Sequence, residues 1–363
     1  MKKIDSIQVL RGFAAVSVIL YHMLIIEKKY AGGDHYLPDI FRIGQSGVDL
    51  FFVISGFIMV TIINKGKREY APREFLTHRF SRIYPNYWFY FLITFAVYLL
   101  QPSLVNASQG GRFNFFRSFF LIPSETLPLV LIAWSLIYEV YFYLVFSFLL
   151  RFDQLRMLIG LLIWLLFLMN ANIFIHTPAS PLLALILSPY SIEFILGAFA
   201  AMIVSTAFVR HLPVLLLELS VAGIVLSLPL LYNSFYSPNG PAGNLFQQTV
   251  IFGLAYSLLV IAMVALEQRD KLKFFPFLVR IGDISYSMYL SHLLILGAIG
   301  RIWAGWFQYP GVGWDEMIVY PLMLLVIVAW SRIGYRMIER PSYHFLVKWL
   351  GSAPFIHAKS KEH

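Results

Sequence analysis

Residues 219–266 read LSVAGIVLSLPLLYNSFYSPNGPAGNLFQQTVIFGLAYSLLVIAMVAL, without a single Asp, Glu, Lys or Arg. The stretch is more than twice the roughly 20 apolar residues that carry a helix across a bilayer. Between Asn233 and Gly243 it fills with Asn, Ser, Pro and Gly, the composition of a turn. It therefore reads as two spans and a loop. Residues 157–192 are charge-free in the same way, with the interruption between Asn170 and Pro181. Working outward, apolar runs fall at about 8–26, 45–63, 83–101, 128–150, 155–169, 187–205, 214–232, 246–266, 284–303 and 317–338. The predicted fold is all-α, a polytopic membrane protein with about ten transmembrane helices in one bundle.

Composition closes off the other classes. Of 363 residues, 59% are apolar and only 13% charged, against about a quarter charged in a soluble domain. Mean hydropathy is +0.72. No cysteine is present, which removes disulfide frameworks, thiol nucleophiles and thiolate metal sites. The net charge of +9 invites a nucleic-acid reading until the basic residues are placed. All but six of the 28 lysines and arginines fall in loops on one side. The exceptions are Lys28, Lys29, Arg42, Arg112, Arg117 and Arg301. The positive-inside rule makes the rich side cytoplasmic, with both termini on it, and no nucleic acid is needed. Lys2 and Lys3 precede an apolar run, but Arg11 and His22 interrupt it and no small-residue cleavage pattern follows. This predicts an uncleaved first helix. Residues 1–345 read as one membrane domain and 346–363 as a cytoplasmic tail.

Ionisable residues inside such a bundle are costly and point to function by default. Arg11 and His22 are eleven residues apart, which puts them about 20° apart around a helix and about 16 Å apart along it. One face then carries an arginine at the inner end and a histidine in the outer half. The alternative is a topology-setting arginine and a satisfied interhelical histidine. Asp49, near the outer end of the second span, reaches about the depth of His22, and a carboxylate beside an imidazole makes a general base. Alternatively it caps its own helix. Glu139, in Trp134-Ser135-Leu136-Ile137-Tyr138-Glu139, falls near mid-membrane. His292 falls near the midplane of the ninth span, where an interhelical hydrogen bond would account for it. Glu193, Glu218 and Glu339 read as structural ion-pair partners, Glu339 beside Arg336 or Arg340. Arg79 and Arg82, placed just before the third span, point one way at i, i+3 spacing, and two guanidinium forks suit phosphate. Lys65, Lys67, Arg68, Arg73 and His78 surround them and equally suit anionic headgroups. Phe113, Phe115, Phe116, Phe119 and Phe120 make the outer loop 106–127 an interfacial or re-entrant segment.

These elements together resemble the acyltransferase-3 family of integral membrane acyltransferases. Arg11 and His22 match its R-x10-H element. Gly47-Val48-Asp49-Leu50-Phe51-Phe52-Val53-Ile54-Ser55-Gly56-Phe57 matches its second-helix motif, and Arg79-Phe80-Ser81-Arg82-Ile83-Tyr84-Pro85 its R-x-x-R region. Trp134–Glu139, Ile284–Leu290 and Ile338-Glu339-Arg340-Pro341 occupy the expected later positions. The chain is most similar to the branch acetylating bacterial exopolysaccharides, the succinoglycan type included, and lacks the esterase-like domain of some relatives. The resemblance implies O-acyl transfer, usually of acetyl, from cytoplasmic acyl-coenzyme A to a carbohydrate hydroxyl, in the bacterial inner membrane and without a metal. On that route Arg79, Arg82 and Arg11 hold the phosphates of acetyl-CoA. His22, oriented by Asp49 or Glu139, deprotonates the sugar hydroxyl. A ping-pong route through Ser55 or a tyrosine stays open, as does a saccharide transporter with no acyl chemistry. The partners expected are membrane lipids and a carbohydrate acceptor, a polysaccharide or a lipid-linked saccharide.

Overall fold

The computed structural model describes residues 4–32, 35–65, 71–105, 111–175, 178–204, 206, 209, 212–236, 245–307 and 313–351. Lys2, Lys3, Lys67, Arg68, Arg210, most of the second long loop and residues 352–363 of the expected tail lie outside them. The helices in chain order are α1 Asp5–Tyr30, α2 Gly47–Lys65, α3 Pro72–Leu100, α4 Phe115–Phe119, α5 Trp134–Leu149, α6 Gln154–Phe174 and α7 Pro181–Ile186. There follow α8 Tyr190–Ile203, α9 Pro213–Tyr236, α10 Leu245–Gln268, α11 Pro276–Ile302, α12 Trp314–Gly334 and α13 Arg340–Trp349. Among the described residues, nine stretches are long and apolar enough to cross a membrane. The tenth expected run lies in α9, whose described apolar part, Pro213–Leu228, is shorter. The protein is a multi-pass integral membrane protein.

Three local features depart from the expected boundaries. Helix α3 starts at Pro72 rather than near 83. Proline at a first helical turn costs nothing, because that N–H has no intrahelical partner. Arg79 and Arg82 therefore lie inside the helix, not ahead of it. Helix α5 starts at Trp134, later than 128, so Glu139 sits in its second turn. The sixth span is broken: α7 ends before Ser188-Pro189 and α8 resumes at Tyr190. A broken helix in lipid must find other partners for its freed backbone groups. Here the Asn172 side chain donates to Leu187 O at 2.9 Å and to Leu168 O at 2.9 Å.

The helices meet through small residues. In hydrocarbon, association relies on close packing rather than on expulsion of water. Helix α1 lies along α11, α2 along α8, and α9 along α10. A Cβ on Gly56 would collide with the Phe194 carbonyl, and one on Gly197 with the Val53 carbonyl, so α2 and α8 touch backbone to backbone. Gly282 of α11 stands against the Gln8 carbonyl of α1 in the same way. The starting turn of α1 is capped from another helix: Glu267, at the end of α10, accepts from Asp5 N at 2.9 Å and Ser6 N at 2.8 Å.

At the opposite end of α1, Glu27 is buried and fully partnered. It accepts from Tyr36 N and Leu37 N at 2.9 Å each, from the Tyr320 hydroxyl at 2.7 Å, and pairs with His35 Nδ1 at 2.6 Å. The phenylalanine-rich segment forms α4, docked on α3 by Trp88 Nε1 donating to Phe119 O at 3.0 Å and by the stacked Trp88 and Phe119 rings. Phe116 and Phe120 point outward.

Candidate active site

A cavity of about 70 Å³ lies among α1, α2, α3, α5 and α11. Its polar lining comes from Arg11, Arg79 and Arg82, from Ser55 and Ser135, from Glu139, and from Tyr143, Tyr286 and Tyr289. The three arginines proposed from the sequence thus converge, although Arg11 and Arg79 are 68 positions apart in the chain. Buried Arg79 lies with its guanidinium 5.6 Å from the rings of both Phe75 and Tyr143. Its Nε and Nη2 are buried and meet no hydrogen-bond acceptor. Orphaned buried N–H groups are expensive, and an acceptor entering the cavity would relieve them. Arg11 makes one long contact, Nη1 to Gln8 Oε1 at 3.4 Å.

Glu139 is held by two hydroxyls. Ser55 Oγ donates to its Oε1 at 3.1 Å, and the Tyr143 hydroxyl donates to the same oxygen. Glu339, expected beside Arg336 or Arg340, instead accepts from Ser287 Oγ at 2.7 Å and from Asn86 Nδ2 at 3.4 Å. Both carboxylates act electrostatically on Arg82 and Arg11. Asp283 acts on Arg11 as well, so three guanidiniums share this region with three carboxylates, and it is Arg79, with buried N–H groups that meet no acceptor, that stands out among them.

Beyond Tyr289 lies a pair of histidines. The Tyr289 side chain lines the cavity, and its ring is 5.8 Å from that of His292. His292 is fully buried; its Nδ1 lies 2.6 Å from Tyr289 O and its Nε2 3.3 Å from His22 Nδ1. His22 Nδ1 lies 2.8 Å from Val18 O. The two imidazole centroids are 4.9 Å apart.

Neither carboxylate expected to orient His22 hydrogen-bonds to it. Glu139 is engaged with Ser55 and Tyr143. Asp49 faces Glu193 of α8. The reason is helical phase: Asp49, Val53 and Gly56 share one stripe of α2, as Glu193 and Gly197 do on α8. The glycine contact that closes α2 on α8 therefore turns Asp49 toward Glu193 and away from α1. Glu193, expected in an ion pair, faces the Asp49 carboxyl instead of a cation. Glu218 is exposed on α9. Sequence reasoning missed Tyr143, Asn86 and Ser287, single hydroxyls and an amide with no spacing signal. It discounted His292.

Residues 4–336 match the family described as an acyltransferase domain. The chain belongs to the acyltransferase-3 family. It is 29% identical over 316 residues to the exopolysaccharide production protein ExoZ of Rhizobium meliloti (strain 1021), covering 83% of this chain and 90% of that protein. It is 23% identical to O-acetyltransferase OatA of Staphylococcus aureus over 92% of its own length, but spans only 56% of OatA. A putative acetyltransferase, ORF330 of Acidianus two-tailed virus, is 24% identical over 80% of the chain. No solved structure matches. The protein is accordingly a membrane acyltransferase.

Proposed function

We propose that the protein transfers an acetyl group from acetyl-coenzyme A, taken from the cytoplasmic side, to a hydroxyl of a cell-surface or exported carbohydrate. The observation that carries this is the unsatisfied Arg79 guanidinium in a cavity it shares with Arg11 and Arg82. Guanidinium forks with free N–H groups match phosphate oxygens in charge and geometry. The donor's phosphates would sit at the arginines and its thioester arm would cover the rise from Arg11 to His22, about 16 Å along α1.

Chemistry at the far end follows from the His22 tautomer. Nδ1 faces a carbonyl and carries the proton, which leaves the Nε2 lone pair to act as base. That nitrogen takes the proton of the sugar hydroxyl as the oxygen attacks the thioester carbon. The C–S bond then breaks, and the departing thiolate takes the proton back from His22. General-base assistance contributes about 10²–10⁴-fold, so positioning in the cavity supplies the rest. Glu139 belongs to the cavity wall on this reading, and Asp49 to the α2–α8 contact rather than to the reacting set.

The test is acetyl-coenzyme A binding to purified protein, with folding checked. Saturable binding should fall at least tenfold in Arg79→Ala/Arg82→Ala. His22→Ala should keep the binding and lose acetyl transfer by about 10²-fold or more. Unchanged affinity in the double variant would remove the phosphate assignment, and full activity in His22→Ala would remove the base.

A further inference from the structure

The contact between His22 and His292 carries more than packing. A backbone carbonyl only accepts, so a ring nitrogen facing one must bear the proton. His22 Nδ1 faces Val18 O, and His292 Nδ1 faces Tyr289 O. Both neutral rings are therefore Nδ1–H tautomers with lone pairs on Nε2. The His292 Nε2 lone pair is directed at the His22 Nδ1 proton, 3.3 Å between nitrogens, which makes that proton three-centred between Val18 O and His292. His22 then has its Nδ1 side occupied twice, and Nε2 is left as its base.

The register of two helices builds this arrangement. Gly12 packs on Gly282, His22 on His292, and Tyr30 on Gly300, always 270 residues apart. Helices α1 and α11 thus run side by side in one constant register. Added Cβ atoms at Gly282 and Gly300 would meet the Gln8 carbonyl and the Tyr30 ring, so the glycines lock that register above and below the histidines.

We propose that His292 is the positioning residue of the general base, in place of the carboxylate that usually serves an imidazole base. The proposal rests on the role given to His22 above. As the acceptor hydroxyl gives its proton to Nε2, the Nδ1–H of the imidazolium becomes a charge-assisted donor to His292 Nε2, a stronger bond than in the neutral pair. A neutral imidazole does this without the cost of an unpaired carboxylate buried in the resting protein. It also holds the His22 ring plane, because an acceptor on α11 stops rotation that the Val18 carbonyl on its own helix would allow.

The experiment is side-chain 15N NMR of full-length, 15N-histidine-labelled protein in detergent. The His22 and His292 signals are assigned by their loss in His22→Gln and His292→Gln. Both rings should show protonated Nδ1 and unprotonated Nε2, and the His22 Nδ1 signal should move in His292→Leu. A His22 ring protonated at Nε2 overturns the proposal whatever the activity. The kinetic arm follows acetyl transfer from acetyl-coenzyme A to chemically de-O-acetylated bacterial exopolysaccharide. His292→Leu should lower kcat by about 10- to 100-fold, part of the general-base contribution, with KM for acetyl-coenzyme A unchanged. His292→Gln, whose amide oxygen can accept the same N–H, should recover most of that loss. Equal loss in both variants would reduce His292 to packing. Wild type with the NMR pair intact but no transfer would instead count against the general-base role of His22.

Discussion

Ser55 shows how one hydrogen bond separates two mechanisms. Its hydroxyl donates to Glu139 within the cavity, the geometry in which a carboxylate activates a nucleophile. Yet the same Glu139 oxygen also receives the Tyr143 hydroxyl, which draws on its basicity. Direct attack by the sugar hydroxyl therefore remains the better route, and a labelling experiment decides. Incubation with [14C]acetyl-coenzyme A and no acceptor should leave the protein unlabelled after denaturation, and Ser55→Ala should retain more than a tenth of wild-type turnover. Stable label that disappears in Ser55→Ala would establish an acyl-enzyme instead. The residue scale is also where sequence was least informative. The eleven-residue step from Arg11 to His22 gave depth along α1, but the depth read for Asp49 was wrong: Gly47, two residues before it, packs on Ala14 and Val18, which leaves Asp49 more than a turn short of His22 along α1. Depth says nothing of which neighbour a side chain faces. Asp49 turned to α8, and His292, which looked like a routine interhelical hydrogen bond, supplies the contact.

The element scale is governed by the glycine contacts. Helices α2 and α8 meet at Gly56 and Gly197, each against the other's backbone carbonyl, so neither side has a rotamer with which to yield. Gly197→Val should therefore be near or beyond the upper end of the roughly 1–3 kcal/mol typical of overpacking, visible as a lost monodisperse peak and a lowered Tm in detergent. Gly160→Ala is the control. A Cβ there meets only the end of the Leu149 side chain at 2.8 Å, which can turn away. Equal damage from both would mean that backbone approach is not what holds α2 to α8. Helix existence was readable throughout from apolar runs, whereas helix starts were not. The stretch from Pro72 to Arg82 is too polar to read as membrane span, but it is helical and partly buried because α13 covers it, with the Tyr343 hydroxyl 3.0 Å from His78 Nδ1. That cover comes from the far end of the chain, where no local pattern announces it.

At the scale of the whole molecule, function depends on which end of the bundle faces the cytoplasm. The arginines of the cavity belong to the end where α1 begins and α3 begins, and the histidine pair lies about 16 Å further along α1. With the basic loops inside, as the positive-inside rule predicts, donor phosphates would meet the arginines from the cytoplasm and the proposed base would lie toward the outer half. The absence of cysteine makes this directly testable. Single cysteines replacing exposed Lys271, between α10 and α11, and exposed Glu125, between α4 and α5, should respond oppositely to a membrane-impermeant maleimide. Glu125→Cys should label in intact cells or right-side-out vesicles, and Lys271→Cys only after permeabilisation. The reverse pattern would turn the arginine end of the cavity outward, where coenzyme A is not supplied. The cytoplasmic donor would then have to be given up, even if the purified protein bound it.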